Sequence, residues 1–124
     1  MNVLIVCPSV GTFGGCEAFV FRLAKEIVAS DEEVTICFKR VAQSFSLDDT
    51  LQEYVDETPA QVTFVDRASG DLHKEIREAD LVHGQNPSLD VAALAKWTGT
   101  PLVMTIHGWL RQRWTPRGLA SRLA

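Results

Sequence analysis

Cys7-Pro8-Ser9-Val10-Gly11-Thr12-Phe13-Gly14-Gly15-Cys16-Glu17 is the stretch on which the reading of the fold turns. Ahead of it, Val3-Leu4-Ile5-Val6-Cys7 is an unbroken apolar run, the pattern of a strand buried on both faces of a parallel sheet. Behind it, Phe19, Val20, Leu23, Ala24, Ile27 and Val28 share one face of a helix spanning Ala18 to Val28, while Arg22, Lys25 and Glu26 fall elsewhere. Strand, glycine loop and helix in succession open a nucleotide-binding α/β unit. Glycines let backbone N–H groups approach a ligand closely, and the helix N-terminus behind them favours anionic oxygens.

The chain of 124 residues is long enough for one domain with a hydrophobic core and too short for two. Its net charge of −4 argues against a general nucleic-acid binder, which would more often be basic. An acidic stretch (Asp48, Asp49, Glu53, Asp56, Glu57) and a basic end (Arg111, Arg113, Arg117, Arg122) read as solvated surface. Cys7, Cys16 and Cys37 are odd in number, widely spaced and without a CxxC pair, which makes neither a disulfide framework nor a zinc site. A reducing compartment fits that usage. Cys7 and Cys37 lie in apolar runs and read as core; nothing near Cys16 in sequence marks it as an activated nucleophile. No basic leader or membrane-length apolar run is evident, so the expectation is a cytoplasmic protein, with peripheral contact to a membrane surface left open.

Strands and helices then alternate. Val34–Phe38 is rich in β-branched residues and predicts strand two, with Lys39 and Arg40 at its C-terminal end. Leu47, Leu51, Tyr54 and Val55 suit a helix within Phe45–Val55, with Ser46 and Asp49 as a weak capping box, and Pro59 breaks it. Val62–Val65 predicts strand three, Asp71–Ala79 a short helix, and Leu81-Val82-His83 a fourth strand. Ser88 is a good N-cap for a helix through Val91, Ala92, Leu94, Ala95 and Trp97 that stops at Gly99. Pro101 leads into a fifth strand, Leu102–Ile106, and Pro116 to Ala124 looks like the start of another helix.

The alternation implies a Rossmann-like doubly wound parallel sheet, strand order 3-2-1-4-5, with helices on both faces. Ligands of such sheets bind outside the C-terminal strand ends at the switch point, here between strands one and four. The glycine loop, His83 ending strand four and His107 ending strand five would lie along that edge. Gly108 beside His107 permits close approach. Asn86 and Gln85 are neutral donors of the kind that recognise hydroxyls, or else loop formers. Glu17 either complements the helix dipole or binds sugar hydroxyls. Trp109 and Trp114 offer an aromatic face or packing. The loop itself, Gly11-x-x-Gly14-Gly15, matches neither GxGxxG nor a phosphate loop.

Gly14-Gly15-Cys16-Glu17, Asp80-Leu81-Val82-His83-Gly84-Gln85-Asn86-Pro87 and Thr100-Pro101-Leu102-Val103-Met104-Thr105-Ile106-His107-Gly108 together resemble the N-terminal domain of family 4 glycosyltransferases, retaining enzymes of the GT-B architecture. The resemblance runs from Met1 to about Trp114. It implies two Rossmann-like domains facing across a cleft, the N-terminal one mainly for the acceptor and the C-terminal one for most of a nucleotide-diphosphate sugar. It implies that Gly14 and Gly15 approach the donor diphosphate through backbone N–H groups and that His107 contacts the transferred hexose-type sugar near the reacting carbon. It further implies a sugar or lipid-linked acceptor, no metal and no separate cofactor, with helix dipoles and basic residues stabilising the leaving diphosphate. The second domain of that family, with its Glu-x7-Glu motif, is absent from these residues, so the chain is expected to be a fragment or one part of a split enzyme, inactive alone.

Two other classes compete. In an NAD(P)-binding oxidoreductase domain, Lys39 and Arg40 would hold a 2′-phosphate, although the dinucleotide fingerprint is missing. A non-catalytic flavodoxin-like binding module is the other; a receiver domain is disfavoured because Pro8-Ser9-Val10 replaces the acidic cluster it needs.

Overall fold

The run Asn2–Ser9 forms β1, and nearly all of it is buried. In the computed structural model, which describes residues 1–86 and 88–107, this strand pairs in parallel with neighbours on both sides. The elements that follow are α1 (Gly15–Ala29), β2 (Glu33–Arg40), α2 (Asp49–Glu57), β3 (Gln61–Asp66), α3 (Gly70–Glu78), β4 (Leu81–Gln85), α4 (Leu89–Thr98) and β5 (Leu102–Thr105). The five strands lie in the order β3-β2-β1-β4-β5, all parallel, as the alternation predicts.

Alternation along the strands sorts the core into two layers. Val3, Ile5 and Cys7 of β1, with Val34, Ile36 and Phe38 of β2, pack against Val20, Phe21 and Ala24 of α1 and Leu51 of α2. Leu4 and Val6, with Cys37 and Val82, face Leu72 and Ile76 of α3 and Val91 and Ala95 of α4. Each fully buried aliphatic or aromatic side chain contributes about 1.5–3 kcal/mol, so both faces of β1 must be covered for the sheet to persist.

Helix α1 begins at Gly15, three residues ahead of the expected Ala18, and β5 ends at Thr105, short of Ile106; two further differences have local reasons. Strand β4 continues past His83 to Gln85, because Gly84 and Gln85 pair with Met104 and Thr105 of β5. A Cβ at Gly84 would stand 2.3 Å from Met104 Sδ, so a larger residue there would require the Met104 side chain to move. Helix α2 begins at Asp49 rather than within the Phe45–Leu47 segment, and its cap is Asp48 instead of Ser46. The Asp48 carboxylate accepts from the N–H of Leu51 at 2.7 Å and from that of Phe13 at 2.8 Å, joining α2 to the glycine loop. Those two donors hold its carboxyl below the ordinary range. The helix expected over Pro116–Ala124 lies outside the described residues.

Lys39 follows the same alternation and points into the α3/α4 layer, where it is fully buried. Its ammonium donates to Asp90 Oδ1 at 2.8 Å and to Ser88 Oγ, and Ser88 Oγ donates to Asp90 in turn. The Ser88 hydroxyl is thus drawn away from the capping bond expected of it, and α4 has no side-chain cap from that residue. Burial pushes the Asp90 carboxyl up, but Lys39, Ser88 and the Ala68 N–H outweigh it and leave the group below its usual value.

Removing one partner of such a pair strands a buried charge. Asp90→Ala is expected to lower unfolding free energy by about 3–5 kcal/mol, and the double variant Lys39→Met/Asp90→Leu to recover most of that loss. Because the folded-state value of Asp90 is depressed, its stabilisation is present above the ordinary Asp value and is lost as pH falls through the folded one. Urea midpoints against pH are therefore expected to drop less steeply in acid for the double variant than for the wild type.

Candidate functional site

Parallel pairing brings the C-terminal ends of all five strands to one edge, and the two neighbours of β1 diverge there. The glycine loop leaves β1 at this point. Gly11 has φ +96°, and a Cβ there would meet the Ser46 carbonyl oxygen at 2.0 Å, so glycine is required by the turn itself. Ser9 Oγ accepts from the Gly11 N–H at 3.0 Å, and the Gly11 carbonyl accepts from the Asp48 N–H at 2.9 Å. Loop and α2 are thereby one assembly.

Gly14 and Gly15 are different. Gly14 is the N-cap of α1 with φ −152°, extended backbone open to any residue, and Gly15 lies in the ordinary negative-φ region. A Cβ on Gly15 would meet nothing within 4 Å. Among the described residues α1 has no side-chain cap at Gly14, whereas Asp48 and Ser69 cap α2 and α3. The first-turn N–H groups of α1 therefore face an exposed surface with two glycines in front of them. Glu17 is buried in that first turn, and a Cβ on Gly14 would stand 3.3 Å from its Oε2.

On the α1 side of β4 and β5, a polar strip replaces the apolar core. His83 sits beside Ile5 in mid-strand, two positions short of the strand end at which it was expected. Its Nε2 bonds Thr105 Oγ1 at 2.6 Å. Gln85, 1% exposed, places Oε1 2.7 Å from His107 Nε2, and an amide oxygen opposite that nitrogen accepts its N–H. Gln85 Nε2 is buried with no hydrogen-bond partner among the described residues. Asn86 adopts φ 60°, a left-handed conformation that asparagine tolerates. Its N–H donates to the Thr105 carbonyl at 2.7 Å, and its Oδ1 accepts from the His107 N–H at 2.9 Å. The role of Asn86 visible here is to fix the backbone that carries His107.

His107 and the glycine-loop helix meet directly. The ring of Phe19 in α1 stands edge-on to the His107 imidazole, with centroids 5.0 Å apart. The structure thus brings Gly14, Gly15, Glu17, His83, Asn86 and His107 to one side of the sheet at the switch point. Gly108, Trp109 and Trp114 lie outside the described residues. Phe19, Thr105 and the positioning role of Gln85 were missed in sequence, where only the alternation of His83, Gln85, Thr105 and His107 at every second position along two adjacent strands could have signalled them. An open groove of about 470 Å³ lies away from this edge, between α1 and α2, lined by Phe21, Arg22, Lys25 and Tyr54 among others.

Lys39 and Arg40 do not form a phosphate cradle. Lys39 is committed to Ser88 and Asp90, and Arg40 pairs with Asp66 at 3.1 Å. The arrangement proposed for a 2′-phosphate is therefore not present. No helix among the described residues is long and apolar enough to cross a membrane.

With this geometry in hand, comparison with known proteins gives a consistent result. The family model for Glycosyltransferase Family 4 matches residues 13–123. No curated protein matches the sequence. Among solved structures, the chain is similar to UGT2 of Phytolacca americana, solved in complex with UDP-2fluoro-glucose and pterostilbene. The TM-score is 0.56 at 12% identity, over 88% of this chain and 31% of that one. The likeness shows a shared fold, and the chain spans about a third of that protein's length.

His83 is a titration marker for the strip. Burial first, and the neighbouring His107 second, hold its imidazole below the ordinary value of 6.5. Between that value and the lower folded-state one, the unfolded chain binds the extra proton, so stability falls as pH is lowered through the window and is flat above it. His83→Gln is expected to flatten the urea midpoint just below pH 6.5 while leaving the more acid region unchanged.

Proposed function

The chain belongs to glycosyltransferase family 4, and we propose that it works as the N-terminal, acceptor-side half of a retaining transferase. The reaction moves a hexose-type sugar from a nucleotide-diphosphate donor to a sugar or lipid-linked acceptor. The observation that carries this reading is the contrast among the glycines: Gly11 serves the turn, whereas Gly14 and Gly15 stand before an uncapped helix end with no conformational need for glycine. Small residues there keep space for a bulky anion, and unpaired N–H groups with the helix dipole favour it.

In this reading the amides around Gly14 and Gly15 receive donor diphosphate oxygens. His107, aimed by Gln85 and Asn86, contacts the sugar near its reacting carbon. Gly108 keeps the approach to it open. Gln85 Nε2, buried without a hydrogen-bond partner among the described residues, lies on the same strip, and Glu17 is placed to accept from hydroxyls. His83, tied to Thr105, backs the strip as a neutral imidazole. The bond from the acceptor oxygen to the anomeric carbon forms on the face from which the diphosphate departs, and the acceptor proton passes to the departing phosphate oxygen. Stabilisation of that leaving group falls to backbone dipoles and to basic side chains of a facing domain, with no protein-held metal or cofactor. Such a domain would face this edge, and turnover requires it.

The test uses the full-length protein with a panel of UDP-, GDP- and ADP-hexoses. Gly15→Leu is expected to leave unfolding free energy within about 0.5 kcal/mol, as for an unobstructed surface site. Transfer is expected to fall by about a hundredfold or more, the scale of losing a preorganised anion contact. His107→Ala is expected to reduce turnover on a similar scale, while unfolding free energy falls only by about 1–3 kcal/mol, the cost of leaving the buried Gln85 carbonyl unpaired. Undiminished transfer by both variants would falsify the site, and sugar transfer by residues 1–124 alone would remove the requirement for a second domain.

A further inference from the structure

The sulfur atoms of Cys7, at the buried end of β1, and Cys16, in the first turn of α1, lie 3.5 Å apart. The intervening segment is the whole glycine loop. Cys7 is fully buried and Cys16 is half-buried, so solvent species reach the pair only through Cys16. Cys37 stands in the opposite core layer, behind the sheet, and cannot join them.

We propose that Cys7 and Cys16 form a thiol modification site, a dithiol that small disulfides oxidise to an intramolecular bridge across the glycine loop. The pairing is a property of the described geometry and does not rest on the transfer reading above. Cys16 is the attacking sulfur. It lies at a helix N-terminus, where a thiolate is favoured, and its sulfur is in hydrogen-bond contact with that of Cys7. That bond holds the Cys16 thiol below its ordinary value against burial and the nearby Glu17 charge, and it pushes Cys7 up. Cys37, by contrast, is pushed up to about 12 by burial.

The chemistry closes in two exchanges. The Cys16 thiolate attacks one sulfur of a small disulfide, forming a mixed disulfide as the other sulfur leaves as a thiolate and takes up a proton. Cys7 then attacks Cys16 Sγ, and the second small thiolate departs and takes up the proton that Cys7 gives up. Two protein thiols are oxidised and one external disulfide is reduced to two thiols. Closure shortens the sulfur separation from 3.5 Å to about 2.05 Å, drawing the start of α1 toward β1. Cys7 is the resolving sulfur because it is the one held against Cys16 and shielded from the oxidant.

The full-length protein is treated with oxidised glutathione, quenched by alkylation under native conditions and mapped by peptide mass spectrometry. The expected product is a Cys7–Cys16 disulfide, with Cys37 labelled only after unfolding. Cys7→Ser keeps a small hydrogen-bonding group in place and is expected to accumulate glutathione on Cys16, since no sulfur remains to resolve the adduct. If Cys7→Ser does not fold, Cys16→Ser supplies the second arm: under the same oxidant its remaining thiols are expected to stay reduced. Full retention of thiols in the wild type overturns the proposal. So does a stable glutathione adduct on Cys16 beside a reduced Cys7, or oxidation of Cys7 in Cys16→Ser.

Discussion

A strand that is hydrogen-bonded on both edges and covered on both faces has no freedom in what surrounds it. β1 is such a strand: β2 and β4 complete its ladder, and two apolar layers bury its alternate residues. Parallel pairing on either side obliges the chain to cross over with helices, and right-handed crossovers in opposite directions place those helices on opposite faces. The divergence at the end of β1 follows from that same constraint, as does the exposed position of the loop that leaves it. The site inherits its location from the sheet.

Polar groups within this frame divide between holding the fold and facing solvent. Lys39, Ser88 and Asp90 form a buried network that pins the end of β2 to the start of α4. Asp48 joins α2 to the loop, and Asn86 ties the end of β4 to that of β5. At the candidate edge there remain the exposed start of α1, the buried Gln85 amide nitrogen and the imidazole of His107. His107 is fixed by its bond to Gln85 and set edge-on against Phe19.

The candidate edge was legible from sequence to the extent that topology places strand ends. Gly14 and Gly15 lie just beyond β1 at the start of α1, while His107 lies two residues past β5, which ends at Thr105 rather than at the histidine. His83 was misplaced along its strand because the pairing partner, β5, extends β4 through Gln85. The Ser46 cap was displaced because Asp48 satisfies donors from two elements at once, and Phe13 lies 35 positions away from it in the chain. Cys16 gave no local sign of reactivity, since its partner is set by the fold of the loop and not by adjacent residues.

The sequence by itself determined the alternation of strands and helices, the burial of β1 and hence the doubly wound order, because hydrophobic periodicity is a local property that each segment carries alone. Tertiary structure decided the pairings: Lys39 with Asp90 across 51 positions, Gln85 with His107 across 22, Cys7 with Cys16 over the loop. It also separated the glycine that a turn demands from the two that no turn demands. A hydrogen bond or a thiol contact is made or missed within a few tenths of an ångström, and such distances exist only once the sheet has set every strand beside its neighbour.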